Sequence, residues 1–216
     1  MGKGNDFGVG NYHDIRARAR RRLPRFLFEY VDRGAEDELS LAANRAAFER
    51  VKLRHRVMVD VSRREQKVTL FGREAAMPLA KRWPRTLMVK GVMTVEDAQL
   101  AAEHGADAVV ISNHGGRNLD AAPATLDVLP SIAQAVGSRM TVIVDSGVRR
   151  GSDVVKAMAL GAKAVLVGRP TLFGVGMGGA PGGLRALEIL RSEIDTTQGF
   201  IGCPRVADID ASVLHR

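Results

Sequence analysis

From residue 81 onward the chain alternates short apolar runs with amphipathic stretches. The runs Thr86–Val89, Ala108–Ser112, Thr141–Val144 and Ala164–Val167 are nearly free of charged residues and rich in β-branched ones. That is the pattern of parallel strands covered on both faces. TVEDAQLAAEHG joins the first two runs. In it, Thr94 and Asp97 have capping-box spacing, Glu96 and Asp97 suit a helix N-terminus, and Gly105 suits its end. Val95, Ala98 and Ala102 recur on one helical face. TLDVLPSIAQAVG predicts the next helix, with Pro130 as a kink or break. SDVVKAMALG predicts a third, capped by Ser152 or Asp153, packed through Val154, Val155 and Met158, and closed by Gly161. A fourth is predicted near Leu184–Ile194. Residues 81–216 therefore read as four consecutive βα units.

Residues 1–80 have a different pattern, helical and without strand alternation until its end. Asp14 suits the cap of a short helix that stops before Pro24, and that proline suits the first turn of PRFLFEYVDR, which Gly34 ends. Leu27, Tyr30 and Val31 fall on one face of it. A third helix is expected around Leu41–Arg50. VTLFGREA then predicts a small hairpin turning at Phe71-Gly72, and MPLA the stub of a strand that runs at once into KRWPR.

Composition narrows the class. At 45% hydrophobic and 26% charged residues the chain is globular rather than disordered. No apolar run reaches membrane-spanning length, and MGKGNDFGVG lacks the apolar core of a secretory signal, so a cytoplasmic protein is expected. The single cysteine, Cys203, excludes a disulfide framework and a cysteine-rich zinc site; no metal site is expected. The net charge of +8 sits mostly in residues 1–80, where 17 basic face 11 acidic residues. Arg16, Arg18, Arg20, Arg21, Arg22 and Arg25 concentrate it. Such a cluster is able to recruit nucleic acid or an anionic surface, but no zinc-finger spacing or RNA-binding aromatic signature accompanies it. A solvated helix face is the expectation, with no nucleic-acid partner and no membrane contact indicated.

Chemistry gathers where the four strands end. Lys90 follows the first, and Ser112, His114 and Arg117 (ISNHGGR) follow the second. Asp145, Gly147 and Arg149 (VDSGVRRG) follow the third, and Gly168 and Arg169 (VGRP) the fourth. This is the edge at which parallel α/β proteins bind ligands. Gly147 and Gly168 permit close backbone approach, and Arg149 and Arg169 supply charged donors, which together predict a phosphate site. His114 suits proton transfer near neutral pH, Arg117 suits two-point clamping of a carboxylate, and Lys90 suits stabilisation of developing negative charge. Taken singly, these residues also read as turn glycines, a structural histidine and surface cations. Their succession at four strand ends favours a site. Tyr30 and Trp83 read as packing, Cys203 as an inert buried thiol, and GVGMGGAPGG (174–183) as a loop.

In this order and spacing, VKG, SNHGGR, DSGVRRGSD and LGAKAVLVGRP resemble the FMN-dependent 2-hydroxy-acid dehydrogenases and oxidases, and LPRFLFEYVDRGAEDELSLAANRAAF is similar to that family's entry segment. The resemblance implies a (β/α)8 TIM barrel, here reduced to its last four βα units behind an N-terminal helical segment. It implies FMN as cofactor and a small L-2-hydroxy acid, such as lactate, mandelate or glycolate, oxidised to the 2-oxo acid. Carried onto matching positions, His114 is the base, and Tyr30 and Arg117 hold the substrate carboxylate. Lys90 and Ser112 contact the flavin, Asp145 and Gly147 the ribityl chain, and Arg149, Gly168 and Arg169 the phosphate. The family's barrel is longer, and the missing strands would fall after Ala80. A half-barrel has open sheet edges, so a homo-oligomer is expected. Two other readings remain open at this point: a non-catalytic FMN- or phosphate-binding half-barrel, and an interaction protein driven by its N-terminal arginines.

Overall fold

A computed structural model describes residues 7–54, 60–66 and 85–215. The expected hairpin, the MPLA stub and residues 81–84 of the KRWPR junction, Trp83 among them, lie outside the described residues. Three helices come first: α1 Tyr12–Arg22, α2 Arg25–Asp32 and α3 Leu39–Arg50. The βα units follow as β1 Met88–Val92, α4 Val95–Glu103, β2 Ala108–Ile111, α5 Thr125–Val136, β3 Thr141–Val144, α6 Gly151–Ala159, β4 Ala164–Val165 and α7 Arg169–Ile201. Two single 3₁₀ turns, Val206–Asp208 and Ala211–Val213, close the described chain.

The four strands form one parallel sheet in the order β1-β2-β3-β4, as successive βα units in a barrel do. Alternation along the strands divides the core. Val109, Ile111, Val142 and Val144 face the helices and pack with Phe48, Leu129, Ile132 and Val136. Ala108, Val110 and Ile143 form a small cluster on the opposite face and are themselves buried. α1 and α2 join α7 in a separate core built on Ile15, Ala19, Phe28 and Phe173. Cys203 is a buried thiol in a third cluster against α6. Among the described residues, no helix is long and apolar enough to cross a membrane.

Several local expectations need correction. Asn11, not Asp14, caps α1, its side-chain oxygen accepting from the His13 and Asp14 amides at 2.8 and 3.2 Å. α2 ends at Asp32 with Arg33 as its cap, and its buried residue is Phe28, while Leu27 and Tyr30 are exposed. α5 runs through Pro130 unbroken. α6 begins at Gly151, and Asp153 supports its first turn by accepting from the Arg149 and Arg150 amides at 2.8 and 3.0 Å. The glycine-rich stretch is not a loop: it lies in α7, which departs from helical geometry only at Gly178 and Gly179. The predicted capping of α4 holds, with Thr94 Oγ1 accepting from the Asp97 amide at 3.1 Å.

Candidate functional site

β1 extends further than its apolar run, so that Lys90 and Gly91 belong to the strand, and a bulge interrupts its pairing with β2 between Lys90 and Val92. That irregularity sits beside the loop carrying His114: a Cβ built on Gly91 would lie 3.4 Å from His114 Nε2. Lys90 of β1, the loops after β2, β3 and β4 and the start of α7 surround an open cavity of about 400 Å³. All the strand-end candidates line it except Ser112, which is buried beneath Lys90 and His114.

A closed set of hydrogen bonds joins β1 to the loops after β2 and β3. Lys90 Nζ donates to Ser112 Oγ at 2.6 Å and pairs with Asp145 Oδ2 at 2.8 Å. Ser112 Oγ also accepts from the His114 amide at 3.1 Å. Ser146 donates to Asp145 Oδ1 at 2.7 Å while accepting from the Gly115 amide at 2.9 Å. The backbones of His114 and Ser146, at φ 56° and 72°, occupy the left-handed region that non-glycine residues avoid. These bonds hold them there. The His114 imidazole is solvent-exposed and makes no hydrogen bond to another described residue. Arg117 stacks its guanidinium over the Tyr30 ring at 4.4 Å, which brings the exposed tyrosine of α2 to the rim of the β2 loop.

From below, α3 braces the same loop. Asn44 and Asn113 exchange side-chain amide hydrogen bonds at 2.9 and 2.8 Å. Gly116 must be glycine: at φ 70°, a Cβ would lie 2.5 Å from the Leu41 backbone nitrogen. Gly147 is equally constrained, at φ 84° with a Cβ position 2.6 Å from the Asn44 carbonyl. Gly147→Ala is therefore expected to destabilise the chain by about 1–3 kcal/mol through backbone strain and displacement of α3. Urea denaturation monitored by circular dichroism checks this.

Arg149 and Arg169 lie deeper, only 8% and 7% exposed. Arg149 stands over the Tyr12 ring at 4.9 Å and donates to the Val148 carbonyl at 2.8 Å. Arg169 donates to the carbonyls of Val31, Gly115 and Arg33 at 2.8, 3.0 and 2.8 Å. Neither forms an ion pair with a carboxylate among the described residues. Burial lowers the Arg149 guanidinium from its ordinary range. Burial, aided by the charge of Arg149, pushes Arg169 down to about 10, which still leaves it cationic at neutral pH. Two desolvated like charges repel, and an anion between them relieves that repulsion. Beside them, Gly168 has nothing within 4 Å of its Cβ position, so the space a side chain would fill is open to the cavity at the N-terminus of α7. The donor set, its unneutralised charge and this open cradle fit a phosphate group.

The sequence reading missed Ser146, Asn44, Asn113 and Tyr12 as parts of the site. Tyr12 and Asn44 come from the N-terminal helices, and only tertiary packing brings them to the strand ends.

The geometry defines a partial βα barrel with a cavity lined by two buried arginines at the C-terminal edge of its strands. The profile of the FMN-dependent dehydrogenases matches residues 19–81 and 78–216, and the chain belongs to that family. FMN is the cofactor of this family. An L-lactate oxidase from Nostoc sp. is 48% identical over 132 residues, covering 61% of this chain and 36% of the relative. An (S)-mandelate dehydrogenase from Pseudomonas putida is 45% identical over 145 residues, covering 67% and 36%. The chain thus spans about a third of the length of the curated relatives it matches. Among solved structures, a soluble mutant of the membrane-associated (S)-mandelate dehydrogenase from Pseudomonas putida superimposes with a TM-score of 0.87 at 26% identity, covering 96% of this chain and 99% of that chain.

Proposed function

We propose that this chain binds FMN by its phosphate between Arg149, Gly168 and Arg169, and that the assembled site oxidises a small L-2-hydroxy acid to the 2-oxo acid. The observation that carries the proposal is the pair of buried, unneutralised arginines on the cavity that also presents His114 and Arg117. FMN, when bound, supplies the two-electron acceptor. Arg149 and Arg169 hold the phosphate, and the Gly168 cradle admits it. Lys90 offers a cation on the flavin side, and Asp145 and Ser112 fix its ammonium. The Arg117 fork and the Tyr30 hydroxyl, neighbours through their stacking contact, orient the substrate carboxylate at the cavity rim. His114 accepts a proton from the hydroxy acid on its free imidazole. The left-handed backbone at residue 114 sets the direction from which it does so.

The partner side of this proposal is a second copy of the chain covering the edges at β1 and β4, which no other strand among the described residues pairs; sedimentation velocity reading a monomer removes it. The catalytic proposal is tested on the purified chain reconstituted with FMN and desalted. Retained flavin that bleaches anaerobically on addition of L-lactate or L-mandelate is expected, with His114→Ala lowering that rate by about 100-fold or more while flavin stays bound. Flavin that is retained but never bleaches reduces the proposal to a binding half-barrel, and failure to retain flavin refutes it.

A further inference from the structure

Arg169 occupies a position that phosphate binding alone does not explain. Its guanidinium reaches the carbonyls of Val31 and Arg33, which flank the C-terminus of α2, and the carbonyl of Gly115 in the His114 loop. These two segments carry the two halves of the proposed substrate site: Tyr30 lies just before Val31, and Arg117 lies two residues beyond Gly115. They also bond directly to each other, the Ala35 amide donating to the Gly116 carbonyl at 2.8 Å. Arg169 is itself the first residue of α7, against the open cradle at Gly168. One side chain therefore touches α2, the β2 loop and the anion site.

A guanidinium has five N–H donors in a fixed plane. Three of Arg169 go to carbonyls, and two remain for an anion without release of the clamp. An anion on those two donors restrains the guanidinium plane, and because the fork is rigid the same restraint holds the three carbonyls in register. We infer that Arg169 is a positioning residue that couples phosphate occupancy at the start of α7 to the ordering of α2 and the His114 loop, so that filling the phosphate site sets Tyr30, His114 and Arg117 in place for substrate. The inference rests on the phosphate site proposed above, but its ligand-free half does not.

The test is amide hydrogen exchange on the full chain, with and without inorganic phosphate, for wild type, Arg169→Lys and Arg149→Met. The Ala35 amide is the reporter, because neither it nor its acceptor Gly116 contributes to the anion site. Without phosphate, Arg169→Lys keeps the charge but loses the fork, and Ala35 exchange should quicken by about tenfold or more, as loss of charge-assisted hydrogen bonds implies. Arg149→Met should not quicken ligand-free Ala35 exchange, because it leaves the three carbonyl bonds of Arg169 in place. With phosphate, wild-type Ala35 should exchange more slowly, and both variants should lose this response. A structural role for Arg169 alone predicts the first change without the second. Unchanged Ala35 exchange in ligand-free Arg169→Lys overturns the clamp. Phosphate that binds wild type, seen by calorimetry, without slowing Ala35 overturns the coupling and leaves the phosphate site standing. No phosphate binding to wild type overturns the site and the coupling together. If Arg169→Lys does not fold by circular dichroism, the wild-type phosphate response and its loss in Arg149→Met still decide the coupling.

Discussion

Replacing Arg149 with methionine should move ligand affinity and stability in opposite directions. The side chain is almost wholly buried and has no carboxylate partner among the described residues, so the ligand-free chain carries the cost of an uncompensated charge. Methionine fills much of the same volume beside Tyr12 without that cost. The variant is expected to unfold at a higher denaturant concentration than wild type, since replacing poorly compensated buried charges with apolar groups is often stabilising. Affinity for FMN or inorganic phosphate should fall by about 2–5 kcal/mol, the usual loss when one partner of a buried charged pair is removed. That is about 30-fold at the least. Calorimetric titration with phosphate and a denaturation curve on the same preparation check both signs. An arginine retained for structure alone would show the reverse: lower stability and unchanged affinity. A rise in stability with loss of binding is the signature of a side chain kept for its ligand.

The units that carry the site were legible because strand and helix periodicity survives in short windows. Apolar runs such as Ala108–Ile111 and Thr141–Val144 mark buried strands, and each strand end exposes its polar residues at one edge of the sheet. α7 was not legible, because glycine content weighs against helix on propensity alone. Its glycines serve close packing instead: a Cβ on Gly174 would lie 2.5 Å from the Gly182 carbonyl, so the two arms of the helix meet backbone to backbone across the break at Gly178 and Gly179. The support beneath the site was hidden for a different reason. Ser40, Asn44 and Phe48 recur every four residues on the buried face of α3. Two polar residues on such a face signal docking against polar backbone rather than a purely apolar core, but the partner cannot be named locally. Ser40 bonds to the Asp120 backbone and side chain, and Asn44 to Asn113, across 69 or more residues of sequence. The pairing of Lys90 with Asp145 is also beyond local reading: the sequence points each to the ligand separately, and the fold shows that each also restrains the other.

The strongest effect on folding should come from Asp153, a residue that never faces the ligand. Its side chain is 3% exposed, and one carboxylate oxygen, Oδ2, accepts from the Arg149 amide, the Arg150 amide and Arg45 Nη1 at 2.8, 3.0 and 2.7 Å. Arg45 also donates to the Gly147 carbonyl, so α3, the β3 loop and the first turn of α6 meet at this single oxygen. Asp153→Ala removes the negative charge from a half-buried Arg45 and strands two backbone donors at a helix start. Breaking a buried pair from one side in this way costs about 3–5 kcal/mol, a large share of the 5–15 kcal/mol that stabilises an ordinary domain. Asp153→Asn keeps an oxygen acceptor for the amides and should cost less, which separates the capping contribution from the charge. Because Gly147 and Arg149 hang from the same junction, the alanine variant should also lose phosphate affinity under conditions where it remains folded. Denaturation of the three proteins in parallel, with phosphate titration of the folded ones, checks both parts. Equal stability of Asp153→Ala and Asp153→Asn would locate the cost in the lost charge and leave the helix cap without measurable weight.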